Sequence, residues 1–199
     1  MIQCSRLHPL KEILQLVPAR LADERGFFCE TYNRERFAEY GIAEDFVQDN
    51  QSMSARKGTV RGLHFQIPPF AQAKLVRVLR GAVLDVVVDI RRGSPTFGRH
   101  ATVVLSAALG NEVYVPVGFA HGFCTLEPST EIAYKVSAPY SREHDRGLLW
   151  NDPDLAIDWP VTADEATLSD KDRAHPGLAD IPAAFEHADL ERTGLDHVE

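Results

Sequence analysis

Arg61 and His64 stand three residues apart in Gly58-Thr59-Val60-Arg61-Gly62-Leu63-His64-Phe65-Gln66, a stretch that alternates with the period of two of a β-strand. Val60, Gly62 and Phe65 read as packing positions, which leaves two polar groups on a strand otherwise devoted to burial. Glycines at 58 and 62 relieve the backbone and let something approach closely. A permanent cation near an imidazole suits an anionic ligand that undergoes proton chemistry. Taken alone, the stretch fits a core histidine beside a surface arginine equally well. Other polar groups widen the set. Asp85 and Asp89 interrupt the apolar run Val83–Asp89, where carboxylates need partners. Lys74, which opens the neighbouring strand, is the expected partner of Asp85. Tyr134 and Lys135 lie on a later strand, with Tyr140 just beyond it. Tyr134 by itself reads as a core tyrosine, but histidine, lysine, arginine and tyrosine on different strands together suggest general acid–base work.

Other chemistries lack their residues. There is no His-x-His, no His-Glu-x-x-His and no thiolate pair, so a metal site would have to be assembled from distant strands. No Gly-x-Ser-x-Gly elbow and no phosphate-cradling glycine loop is present. No metal is expected.

The elements that must position these groups are mainly strands. Seven are expected at 60–66, 74–80, 82–90, 99–106, 112–116, 121–126 and 131–137, separated by Gly, Pro and Asn. Short strands at this spacing, with no helix-length segments between them, indicate an antiparallel sandwich or barrel able to hold a ligand inside. Upstream, 13–17 reads as an extended edge and 27–32 as a strand following a turn at 23–26. Asn33 should cap a short helix that Gly41 ends, and 46–52 is an amide-rich extended piece. A turn-rich arm begins near 151, and 181–192 is expected to be a helix started by Pro182.

The 199 residues are expected to form one domain, 1–199, including that arm. The formal charge of −8 is uneven. From Asn151 onward 13 acidic residues face three basic ones, and the first 150 residues sum to +2, so overall acidity does not exclude an anionic small molecule. No basic run marks nucleic acid as a partner, and no stretch approaches the ~20 apolar residues of a membrane span. Three scattered cysteines and the lack of a signal-peptide core in residues 1–20 point to the cytoplasm.

A longer series of motifs resembles a known family. Asp23-x-Arg25-Gly26-x-Phe28-x-Glu30, Gln48-Asp49-Asn50, Arg61-Gly62-Leu63-His64-Phe65-Gln66, Lys74-Leu75-Val76, Gly118–Phe123, Tyr134-Lys135, Asn151-Asp152-Pro153, Trp159-Pro160 and Ser169-Asp170-Lys171-Asp172 follow the order found in dTDP-4-dehydrorhamnose 3,5-epimerases. The resemblance spans roughly 10–180. It implies a mainly β, jelly-roll (cupin-like) barrel with short flanking helices, a homodimer, a dTDP-4-keto-6-deoxy sugar substrate and catalysis without metal or cofactor. By the same resemblance, His64 is the base, Asp172 its dyad partner, Lys74 the cation on the enolate oxygen and Tyr134 the acid. Arg61 is implied as a diphosphate contact, with His121 and Lys171 as further ligand contacts and Tyr140 as the thymine stack. Gln48, Asp49 and Asn50 are counted with the substrate-binding residues, and Arg25, Glu30 and Phe28 with those that reach the neighbouring subunit's nucleotide. Asp145 stands where the family usually has glutamate. The same residues would also serve a relative that inverts only C3 or only C5.

Overall fold

Apolar–polar alternation broken by glycine and proline builds thirteen strands among the described residues, 2–192 of a computed structural model. In chain order they are β1 (Ile2–Arg6), β2 (Leu14–Pro18), β3 (Arg20–Asp23), β4 (Gly26–Cys29), β5 (Gln48–Ser54), β6 (Val60–Gln66), β7 (Lys74–Arg80), β8 (Ala82–Asp89), β9 (His100–Ser106), β10 (Glu112–Val115), β11 (Phe119–Thr125), β12 (Thr130–Val136) and β13 (Asp145–Gly147). The described residues also include three short α-helices, α1 (Arg34–Ala38), α2 (Asp170–Arg173) and α3 (His187–Arg192), and a 3-10 turn at Leu178–Asp180.

Two antiparallel sheets pack face to face, with strand orders β1-β2-β10-β7-β12-β5 and β13-β6-β11-β8-β9. The core between them is built from alternate residues of both: Val76 and Val78 on β7, Val83 and Val87 on β8, Val113 and Val115 on β10, Phe119 and Phe123 on β11, and Ile132 on β12. This is the expected jelly-roll sandwich.

Each outer face has its own cover. The α1 segment, N-capped by Asn33 and ended at Gly41 (φ +83°), lays Phe37 and Ile42 against Leu14, Leu16 and Leu75. The acidic arm is apolar underneath: Leu155, Ile181 and Phe185 pack on Leu63, Phe65, Val86 and Val88. Burying each of those arm side chains is worth about 1.5–3 kcal/mol. The arm is thereby fixed to the β6–β11–β8 face, and it carries Asp172 with it.

Three sequence expectations are corrected. The segment around 13–17 is not an edge, because β1 pairs outside it (Ile2 opposite Pro18, Arg6 opposite Leu14). The 27–32 strand is shorter and belongs to a separate two-stranded ribbon, β3–β4. The final helix begins at His187 rather than Pro182. Residues 185–187 are drawn into backbone pairing with Arg92, whose N–H reaches Phe185 O at 2.8 Å and whose O accepts from His187 N at 2.9 Å. Tertiary hydrogen bonds there outweigh the helix-start signal of proline.

Candidate active site

In a regular strand, residues 61 and 64 would face opposite ways. On β6 they do not. His121 pairs with His64, and Phe123 pairs with Arg61, so the one residue between them on β11, Gly122, is opposed by two on β6, Gly62 and Leu63. The extra residue lies at Gly62 (φ +127°), and the bulge turns both polar side chains into the space between the sheets. A Cβ at Gly62 would lie 2.6 Å from Gly122 Cα and 2.9 Å from His121 O, so the close approach anticipated from the glycine is that of strand β11. We expect Gly62→Ala to cost about 2–3 kcal/mol through backbone overpacking at positive φ. That corresponds to a melting-temperature fall of roughly 5–10 °C, measurable by thermal denaturation.

The resulting cavity of about 450 Å³ is lined by Arg61, His64, Lys74, His121, Tyr134, Lys171 and Asp172, with Ser52, Thr59, Phe123 and Ser169 among the others. His64 Nε2 meets Asp172 Oδ1 at 2.5 Å, and the imidazole keeps about a third of its side chain exposed while Asp172 is 6% exposed. A local motif aims the carboxylate. Ser169 caps α2, its Oγ accepting from Asp172 N (3.1 Å) and donating to Asp172 Oδ2 (2.8 Å). One carboxylate oxygen is thus held by the cap, and the other is presented to His64.

Burial opposes the charge on Asp172, but contacts with His175, His64 and Ser169 outweigh it and hold the carboxyl far below the usual range. Burial also pulls His64 below the ordinary imidazole value. Asp172 works against that pull, while Lys74 and Lys171 add to it. The pair therefore holds an ionised carboxylate beside a neutral imidazole near neutral pH. With Nε2–H donated to Asp172, the lone pair left on His64 is that of Nδ1, a tautomer inferred from the partner.

Lys74 is buried and donates to His64 O at 3.2 Å. Burial lowers its pKa to about 8, partly offset by Asp145 and Asp85. Tyr134 is raised by burial, with Arg61 opposing and Asp145 reinforcing. Asp85 does not hydrogen-bond Lys74 as expected. Its Oδ2 lies 2.9 Å from His121 Nε2, and both residues are buried. A second His–Asp pair therefore faces the cavity from β11 and β8. Asp89 belongs to a separate network: Arg91 Nε donates to it at 2.9 Å, and Ser94 and Thr96 at 2.6 Å each.

The model of the dTDP-4-dehydrorhamnose 3,5-epimerase family matches residues 8–180. The chain belongs to that family. The Sinorhizobium fredii dTDP-4-dehydrorhamnose 3,5-epimerase is 50% identical over 179 residues, 89% of this chain and 91% of the relative. The Bacillus anthracis dTDP-4-dehydrorhamnose 3,5-epimerase, solved with TDP and PPi bound, is 48% identical with a TM-score of 0.85, covering 89% of this chain and 99% of that one. The Legionella pneumophila dTDP-6-deoxy-D-glucose-3,5-epimerase, solved with dTDP-4-keto-L-rhamnose, gives 42% identity and a TM-score of 0.88 over 94% and 99%.

The remaining residues that the epimerase resemblance implicates fall in two places. Tyr140 is 58% exposed at the rim, its hydroxyl donating to Asp145 Oδ2 at 3.1 Å, and Lys171 Nζ donates to the same oxygen. The shorter carboxylate at 145 thus touches both the rim tyrosine and a cavity lysine. Gln48 Oε1 accepts from Tyr140 N (3.1 Å) and its Nε2 donates to Asn50 Oδ1 (2.8 Å), while Asp49 turns outward to Lys135 at 2.9 Å. Arg25, Phe28 and Glu30 lie away from this cavity. Arg25 pairs with Asp23, and Glu30 pairs with Arg36 at 2.9 Å. Phe28 stands 69% exposed on the β3–β4 ribbon.

Two features of the site carry little signal in the sequence. The His121–Asp85 pair depends on β11–β8 register. His175, beside Asp172 with its side chain 9% exposed, carries only its three-residue offset from that aspartate as a signal.

Proposed function

We propose that this epimerase inverts C3 and C5 of dTDP-4-dehydro-6-deoxy-D-glucose, giving dTDP-4-dehydro-L-rhamnose. The observation that carries the proposal is the cavity that His64, Lys74 and Tyr134 share, with His64 paired to a buried carboxylate. The C4 ketone acidifies the protons on both C3 and C5. His64 Nδ1 removes one of them, the electron pair moves onto O4, and the Lys74 ammonium stabilises the enolate oxygen. Tyr134, on β12 of the facing sheet, returns a proton to the opposite face of the carbon. The imidazolium and the tyrosinate then exchange protons with solvent, restoring both groups before the second centre reacts. Arg61 takes diphosphate oxygens, His121 and Lys171 add polar contacts, and Tyr140 stacks on thymine while Gln48 positions its backbone.

The domain reading extends to the arm from about 151, since the arm supplies the base's partner. A homodimer is supported by Leu21, Phe27 and Phe28, all more than half exposed on a ribbon that joins neither sheet. Such a face calls for a second copy, which Arg25, Phe28 and Glu30 would reach. Three free cysteines support a cytoplasmic location. Among the described residues, no helix is long and apolar enough to cross a membrane.

The direct test follows C3 and C5 protons of the keto sugar by NMR in heavy water, with a rhamnose-forming reductase coupled in parallel. Washout at both carbons with reductase turnover is expected. Exchange at one carbon alone would make the protein a single-centre epimerase. Nucleotide binding without exchange would leave it a sugar-nucleotide binder.

A further inference from the structure

The imidazole of His175 has no task in the proton-transfer scheme, yet the chain holds it firmly. Its side chain is 9% exposed, and its Nε2 makes no hydrogen bond. The ring is wedged over Gly147: a Cβ there would fall 2.2 Å from His175 Nε2. Gly147 is in turn the cross-strand partner of His64. His175 Nε2 stands 3.7 Å from Asp172 Oδ1, the same oxygen that meets His64 Nε2. The two imidazoles cross nearly edge to face, 5.5 Å between centroids. His64, Asp172 and His175 thus offer two ring nitrogens and one carboxylate oxygen within 4.8 Å of one another.

We propose that His64 Nε2, Asp172 Oδ1 and His175 Nε2 form a chelating site for a borderline divalent transition ion of the zinc class, and that occupancy switches the base off. Two imidazoles and a carboxylate are a donor set such ions favour, with metal–ligand bonds of about 2.0–2.2 Å. Tetrahedral bonds of that length place donor atoms about 3.3 Å apart. Asp172 and His175 need to close from 3.7 Å by a few tenths of an ångström, the 2.5 Å His64–Asp172 contact must open by somewhat more, and the two ring nitrogens, within 4.8 Å of each other, must draw together by a turn of both imidazoles. The unpartnered nitrogen of His175 supplies what the dyad alone lacks, a third donor. A fourth position can be taken by water.

Silencing follows from the tautomer. A neutral imidazole bound through Nε2 carries its proton on Nδ1, so the lone pair that takes the substrate proton disappears. No net proton leaves His64; it moves from one ring nitrogen to the other. Metal binding is independent of the proposed function, whereas inhibition rests on His64 being the base.

The test titrates chelator-treated protein with Co2+ and reads its visible absorption, with deuterium washout followed in parallel. One Co2+ per chain should give the intense bands of low coordination, Zn2+ should displace it and stop washout, and EDTA should restore turnover. Mg2+, which prefers six oxygens, should do neither. His175→Gln and His175→Phe should lose the Co2+ bands, with Zn2+ sensitivity, read against each variant's own metal-free turnover, weakened by about tenfold or more. Absence of those bands in the wild-type protein overturns the proposal, as does undiminished Zn2+ sensitivity in a folded His175 variant. Stoichiometric, His175-dependent Co2+ binding with unchanged turnover would keep the metal site and overturn both the switch and the assignment of His64 as base.

Discussion

His64→Asn is expected to fold, to bind dTDP with wild-type affinity and to lose turnover by about 10²–10⁴-fold, the span general base catalysis contributes. The arrangement of the cavity makes this more than removal of a polar group. Asparagine can still donate toward Asp172, so the carboxylate is not stranded without a partner, and the nucleotide contacts proposed for Arg61 and Tyr140 lie elsewhere on the wall and rim. Heavy-water exchange at C3 and C5 should vanish together, since one base serves both centres. A variant that bound dTDP and still washed out either proton at the wild-type rate would remove His64 from the mechanism.

Asp172→Asn sharpens the same prediction. The carboxylate raises the His64 pKa against the pull of burial, so its loss leaves a weaker base. The acid limb of the turnover profile, already expected below the ordinary imidazole value of about 6.5, should move to still lower pH while the plateau rate falls. An acid limb that moved upward would mean that Asp172 does not act on His64 through its charge.

Much of this arrangement can be traced in the chain. The core strands announce themselves as short apolar runs, buried on both faces in β8, β10 and β11, and Gly81 and Gly110 fall in the loops between them. β1 carries no such signal, because Gln3, Cys4, Ser5 and Arg6 are exposed and no burial pattern marks the strand. The cavity residues on β6, β7, β11 and β12 could be named from type and motif, but their partners could not. Pairing of Asp85 with His121 rather than Lys74 depends on which strands neighbour β11. That Arg61 and His64 share a face depends on one extra residue at Gly62, which inverts the parity that a period of two implies. Asp172 lies 108 residues from His64, and the arm's apolar underside, packed on β6 and β8, together with backbone pairing of Thr167 to Gly58 and Val60, brings the two together.

Lys74 should leave its own signature in the pH profile. Its pKa of about 8 means that the ammonium is present below that pH and is lost as pH rises through it. Enolate stabilisation needs the charged form, so turnover should fall on the alkaline side near pH 8. Tyr134, raised by burial above the ordinary phenol value, remains protonated there and cannot be the source of the limb. Lys74→Met should lower kcat by about 10²–10³-fold, the cost of removing one preorganised stabiliser of an oxyanion. Its residual activity should show no limb near pH 8. Lys74→Arg keeps a charge that does not titrate in this range, so its alkaline limb should also disappear, at a lower plateau because a forked guanidinium cannot occupy the position of an ammonium that donates to His64 O. A limb that persisted unchanged in both variants would assign it to another group and leave Lys74 a buried structural cation. Its disappearance in both, with turnover surviving better in the arginine variant, would tie the alkaline limb to the charge that the enolate oxygen meets.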